Sequence, residues 1–358
     1  MRRLTLLTLT VSLLMAVATV ATPVAATVSA PAPSGGDGTT ITLMTHDSFN
    51  ASKRVMRQFT RRTGVTVEVL PSGDAGAAVN QAILTKNNPL GDVFFGVDNT
   101  LLSRALEEGV FLPYKSPELA NIPEGLQLDP RNRVSPVDTG DVCVNFDRKY
   151  FADKKLTVPK TLDDLSKPEY KGLLVVENPA TSSPGLAFLL ATVDKFGPDG
   201  WRAYWEQLRD NDVKVVDGWE QAYNTEFSGS AGKGDYPLVV SYATSPPAEV
   251  VNAETAPEEP PTGALLDTCF RQVEFVGILK GTKHEKAAKQ LVDFMLSERF
   301  QRDMPLQMFV FPARDGTKLP TAFVKYAKVA PRPASLPPEV IARNRDQWID
   351  EWASTVLG

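Results

Sequence analysis

The 358-residue chain has 42% hydrophobic and 23% charged residues, with 38 basic against 43 acidic side chains and a formal net charge of -5. That length holds enough apolar material for two cores, and the mildly acidic balance argues against nucleic acid or another polyanion as partner. With two histidines and no glycine-rich nucleotide loop, a histidine-dependent triad, a metal site and a bound cofactor are all unexpected.

At the start of the chain, Arg2 and Arg3 precede an apolar run from Leu4 to Val20 that ends in small residues, the pattern of a signal peptide over residues 1–30. A membrane anchor is the alternative, but it needs about 20 apolar residues, and Thr8, Thr10, Ser12 and Thr19 dilute this run. Cleavage after Ala26 or Ala30 fits, and no Cys lies there to take a lipid, so the protein is not expected to be a lipoprotein. Residues 31–38 read as a flexible Gly- and Ser-bearing leader. The expectation is a secreted, periplasmic or otherwise extracytoplasmic monomer with no stable membrane insertion once the signal is removed.

From Ile41 to Met44 a short strand leads into a helix that Ser48 could cap, with Val55, Met56 and Phe59 on one face and Gly64 as its stop. Val65–Leu70 reads as a second strand, a helix is expected near Ala77–Thr85, and DVFFGV (Asp92–Val97) makes a third strand. This βαβαβ alternation predicts an α/β fold with a mostly parallel sheet, whose ligands bind at loops beyond the strands' carboxyl ends. Those loops are HDSFN, SGDAG and GVDNT.

A second stretch starts with a strand near Val137–Phe146. It continues through a strand at Leu173–Glu177, a helix at Pro184–Lys195 and strands at Lys214–Val216 and Leu238–Tyr242. NAETAPEEPPT, near Asn252–Thr262, suits an exposed loop before a strand at Gln272–Ile278. The last third is helical: Ala288, Leu291, Val292, Phe294 and Met295 form a buried stripe, and Trp348 and Trp352, four residues apart, belong to the core.

Cys143 and Cys269 are the only cysteines, and an even pair in an exported chain points to a disulfide; two buried thiols are the other reading. Several polar clusters lie where ligands bind in such sheets. Ser182 and Ser183 precede Pro184, so their hydroxyls and the free amides of that turn could take an anion, or one serine could simply cap its helix. Trp219 and Tyr223 can share one face and attract a cation, or both can be core. Tyr242, Thr244 and Ser245 end a strand, and Asp47 and Asp74 could pair with an amine or cap helices.

Taken in order, THDSF, GDAG, GVDNTLL, NPATSSPGLAFLL, DGWEQAY, VVSYATSP and IARNRDQWIDEW resemble the thiamine-binding proteins of ABC importers across nearly the whole mature chain. The resemblance implies a two-lobed periplasmic-binding-protein-like fold (type II), with the ligand cleft between lobe 1, residues 39–138 plus 274–358, and lobe 2, residues 139–273. It places ligand contacts at Asp74, Ala75, Ser182, Ser183, Trp219, Tyr242, Ala243, Thr244 and Ser245, with Phe309 where the family carries a tryptophan. Ala75 stands where a glycine is usual and His46 where a tyrosine is usual.

The function so implied is capture of thiamine, thiamine monophosphate or thiamine pyrophosphate and delivery to an ABC permease, without catalysis. A thiazolium cation would meet Trp219, Tyr223 and Tyr242, while Asp74 would receive the aminopyrimidine or balance charge. A polyamine or ferric ion on the same fold is the alternative cargo. An exported enzyme would need Cys143 or Cys269 as a nucleophile in the cleft.

Overall fold

A computed structural model describes residues 38–255 and 257–358; the expected signal peptide and residues 31–37 of the expected leader lie outside the described residues. Strand β1 (Thr40–Thr45) runs into helix α1 (Lys53–Thr63), which ends at Gly64, whose φ of 73° is the left-handed conformation that glycine tolerates best. The cap of α1 is Ser52 rather than Ser48: its Oγ accepts from the Val55 amide. Strand β2 (Thr66–Pro71), helix α2 (Ala75–Leu84) and strand β3 (Val93–Asp98) complete the expected unit, with β1 parallel to both neighbours.

Both faces of β1 and β3 are covered, which is why these strands read as apolar runs rather than alternating ones. Ile41, Leu43, Val93 and Phe95 face α1 and the later helix α4 (Glu285–Leu296), while Met44, Phe94 and Val97 face Ala78, Val79 and Ala82 of α2. The expected stripe of α4 is buried, but the helix stops at Leu296, where Ser297 turns extended, so EKAAKQLVDFMLSERFQRDM is not one continuous element.

The second half of the sheet is built from β6 (Leu174–Glu177), β7 (Lys214–Val216) and β8 (Leu238–Tyr242), with β6 parallel to both others. Between β6 and β7 runs the long helix α3 (Ser183–Asp210), bent at Gly197–Pro198. The C-terminal helix α5 (Pro338–Val356) sets Trp352 edge-on against Trp205 of α3, 5.5 Å between centroids, and Arg345 of α5 also donates to Ser103. The helix therefore touches both halves of the molecule.

Two strands far longer than the sequence pattern indicates, β5 (Val134–Asp147) and β9 (Thr262–Leu279), join the halves in the order β2-β1-β3-β9-β5-β8-β6-β7. The short strands β4 (Phe111–Leu112) and β10 (Phe311–Pro312) add to β9 and β5. The antiparallel β5–β9 ladder runs from Val134↔Gly277 to Asp147↔Thr262 with irregularities at Pro136/Asp138 and Val142/Val144, where extra residues bend the pair. The junctions expected between lobes fall on paired positions of this ladder, Asp138↔Glu274 and Thr139↔Val273.

At the second irregularity Cys143 and Cys269 form a disulfide, packed with Ala243 and Ala330. It closes a loop spanning 126 residues of sequence, so its removal releases substantial chain entropy in the unfolded state. Replacing both cysteines with alanine is expected to lower unfolding free energy by about 2–5 kcal/mol, measured by chemical denaturation against the oxidised wild type.

Candidate functional site

The carboxyl ends of the strands converge on a cleft of about 520 Å³. One side is built from His46, Ser48 and Asn50 after β1, Asp74 and Ala75 at the start of α2, and Leu306–Val310; the other from Ser183, Trp219, Glu220, Tyr223, Tyr242, Ser245 and Glu249. Glu274 of β9 also lines it. Two of the three expected loops contribute, HDSFN and SGDAG. GVDNT does not, because Asp98 is buried and spends its Oδ1 on the Thr100 hydroxyl and the amides of Thr100 and Leu101.

The Asp74 carboxylate ties the two sides together. Oδ1 accepts from the amides of Ala75 (2.5 Å) and Ser183 (3.3 Å), and Oδ2 from the amide of Trp219 (2.8 Å). Beside it the Ala77 amide donates to the Thr181 carbonyl across the same seam. A Cβ at Gly76 would lie 2.6 Å from that carbonyl oxygen, so only glycine lets α2 approach this closely. Of the amides expected to hold an anion at the serine turn, that of Ser183 already serves an internal carboxylate. Ser182 is occupied as well: its Oγ caps α3 by accepting from Gly185, and it does not line the cleft.

Trp219 lies flat against Tyr223, 5.1 Å between centroids and 11° between planes, the geometry expected for residues one helical turn apart. A π-type turn over Ala222–Glu226 follows, an irregularity frequent at functional sites. Tyr223 is nearly fully buried and donates to Glu249 (2.9 Å), while half-buried Trp219 donates from Nε1 to Ser241 (2.9 Å). The stack is therefore fixed by polar partners, with Trp219 nearer the opening. Ser245 bonds Ser241 (2.8 Å), and Tyr242 packs over Gly140. Phe309 lines the opposite rim with φ of 55°, an uncommon backbone for a phenylalanine.

Of the other expected residues, Ala75 lines the cleft, Ala243 and Thr244 are buried behind it, and Asp47 is exposed outside it. Two acids that the sequence pattern did not single out complete the floor. Glu274 is 5% exposed and Asp138, directly opposite it in the β5–β9 ladder, is 1% exposed. The clue available in the sequence was an acid directly after an apolar residue inside a strand, in RQVEFVGIL and SPVDTGDVCV. Burial raises both carboxyls, Asp138 to about 7, the charge of Asp138 raises Glu274 further, and burial raises Asp74 to about 6. Burial instead lowers His46 to about 4, so its ring is neutral near pH 7.

Residues 88–331 match the family model described as "Bacterial extracellular solute-binding protein". The chain belongs to that family. This solute-binding protein is 29% identical over 326 residues to the thiamine-binding periplasmic protein of Escherichia coli, covering 88% of this chain and 93% of that one. The corresponding protein of Brucella suis is 29% identical over 337 residues, covering 90% of this chain and 93% of its own. A solved structure titled "Periplasmic thiamin binding protein" superposes with a TM-score of 0.78 and 25% identity, over 91% of this chain and 99% of that one. The fold is accordingly the two-lobed type II binding-protein fold, and the protein binds solute rather than catalysing a reaction. Among the described residues no helix is long and apolar enough to cross a membrane.

Two outcomes follow from the seam and the buried acids. Gly76→Ala should separate α2 from the Thr181–Ser183 turn, giving a larger radius of gyration in ligand-saturated solution scattering and weaker ligand binding. In the unfolded chain Asp74 and Asp138 ionise near the ordinary aspartate value of 3.8, but in the fold at about 6 and about 7. The folded state therefore holds more protons between those limits, and stability should fall as pH rises from about 4 to 7 and then level off. Thermal melting across that range, with Asp138→Asn showing a shallower fall, measures it.

Proposed function

We propose that this solute-binding protein captures thiamine in an extracytoplasmic space and hands it to an ABC permease. The observation that carries the reading is the make-up of the cleft: a fixed Trp219–Tyr223 stack beside Asp74, Glu220, Glu249 and Glu274, with no Lys or Arg in the lining. A flat heterocycle with a permanent positive charge is what such walls attract, and each aromatic face contributes ~0.5–2 kcal/mol to a cation. The relatives named above, called thiamine-binding and periplasmic, support the same cargo and compartment.

The same lining favours the unphosphorylated vitamin over its phosphate esters. A phosphate would meet four acidic side chains, and the Ser183 amide at the serine turn is spent on Asp74 while that of Gly185 is spent on Ser182. A ferric cargo is less suited, since among the described residues no group of three or more His, Cys, Asp or Glu is placed to hold a metal ion. For the lobes we propose residues 39–138 plus 274–358 and residues 139–273, hinged on the β5–β9 ladder; closing them around the ligand gives the permease a surface distinct from the open form.

Calorimetric titration of refolded, ligand-free protein with thiamine, its mono- and pyrophosphate, spermidine and ferric citrate tests the reading. Thiamine should bind most tightly, and Trp219→Ala should weaken it by about tenfold, roughly 1.4 kcal/mol. Saturation by spermidine or iron with no response to thiamine would overturn the cargo assignment while leaving the fold untouched.

A further inference from the structure

We infer that Glu274, backed by Asp138 at the floor of the cleft, is the group that recognises the positive charge of the cargo, and that seating a cation there drives a proton into solvent. The inference rests on the thiamine reading of the same cleft and adds to it a named recognition residue and a measurable proton balance.

The geometry begins with the ladder. Asp138 of β5 and Glu274 of β9 are register partners beside the Pro136/Asp138 irregularity, which places both side chains in the interior where the halves of the molecule meet. Glu274 faces the cleft; Asp138 lies behind it, and neither of its oxygens finds a hydrogen-bond donor. From the end of β1, His46 approaches to 3.5 Å between Nε2 and Glu274 Oε1. That nitrogen also makes no hydrogen bond, although His46 is only 7% exposed and lines the cleft. Two side chains flanking Glu274, His46 in the cavity wall and Asp138 behind it, thus leave buried bonding capacity unused, which buried groups ordinarily satisfy.

The surroundings supply no counter-charge. The other titratable groups near Glu274 are Asp74 at the start of α2, Asp98 at the end of β3 and Tyr242 at the end of β8; none is basic. Two adjacent carboxyls with no cation beside them cannot both ionise at low cost, so the pair retains a proton, in keeping with the raised values of both. Neutral His46 does not relieve this. A ligand bearing a permanent positive charge does: as it settles on Glu274 the O–H bond of the protonated carboxyl breaks, the proton passes to buffer, and the carboxylate left behind faces the cation. An uncharged ring of the same shape gains none of this attraction.

Competition between proton and ligand sets the sign of the pH effect. Thiamine should bind more tightly as pH rises from about 6 to 8, because fewer pairs then hold the competing proton. Titrating thiamine at pH 7 in two buffers of different ionisation enthalpy reads the proton directly: the observed heat should differ between buffers by an amount that reports release. Glu274→Gln should bind thiamine about tenfold more weakly and show heats independent of buffer. Asp138→Asn should remove the release and flatten the pH dependence with a smaller loss of affinity, since it acts by positioning and by sharing the proton. Melting curves establish that each variant is folded, and the wild-type buffer comparison needs no variant. If wild type binds thiamine with buffer-independent heats and Glu274→Gln binds equally well, this inference is overturned and the cargo stands. If wild type ignores thiamine, the functional reading itself fails.

Discussion

The antiparallel pairing of β5 with β9 is the constraint on which the rest of the molecule depends. Each strand is long enough to belong to both halves, and their ladder is the continuous hydrogen-bonded path between β3 on one side and β8 on the other. Its two irregularities bend the sheet and aim side chains inward: one sets Glu274 at the cleft floor with Asp138 behind it, the other carries the disulfide. A cleft between lobes is thus a property of two strands rather than of the lobes themselves.

Across the cleft from that ladder's floor, Asp74 works as a clasp. A single carboxylate caps its own helix and takes amides from two loops on the opposite side, at a position where burial makes ionisation costly. The cost is offset by three N–H donors, which an isolated buried carboxylate would lack. The seam is tight enough that Gly76 leaves no room for a methyl group, and the residue one place earlier, Ala75, tolerates its Cβ while lining the cleft. The electrostatics beyond the clasp are one-sided, with acids, aromatic faces and a neutral His46 but no Lys or Arg among the described lining residues, so the cavity discriminates by charge before it discriminates by shape.

Much of the molecule could be read in the chain alone. The βαβαβ opening, the strands at Lys214–Val216 and Leu238–Tyr242, the buried stripe of α4 and the buried pair Trp348 and Trp352 follow from periodicity, because a strand or helix must hide its apolar face whatever it packs on. The aromatic pair and Ser183, Tyr242 and Ser245 were reachable because they sit at strand ends and helix starts, where a local motif exposes side chains and amides together. The local capping rule erred once: Ser48 was expected to cap α1, whereas the helix starts at Lys53 and Ser52 caps it.

Tertiary structure decided everything that joins distant segments. The length of β5 and β9 was hidden because Gly, Asp, Arg and Gln interrupt their apolar pattern; Asp141 pairs with Arg271, and Gln272 donates to Asp98 and Ser183, partners that only the fold supplies. Ser182 and Ser183 look equivalent in TSSPG, yet one is spent on the cap of α3 and the other faces the cavity. Asp74 reads as a cap or a ligand contact, and the fold makes it a bond across the seam. Glu274 and Asp138, 136 positions apart in the chain, become a single titrating pair only when strand register sets them side by side. The sequence by itself determined which segments are buried and which turns expose polar groups, since those depend on neighbours a few residues away; the charge and closure of the cleft depend on contacts that only the folded chain brings together.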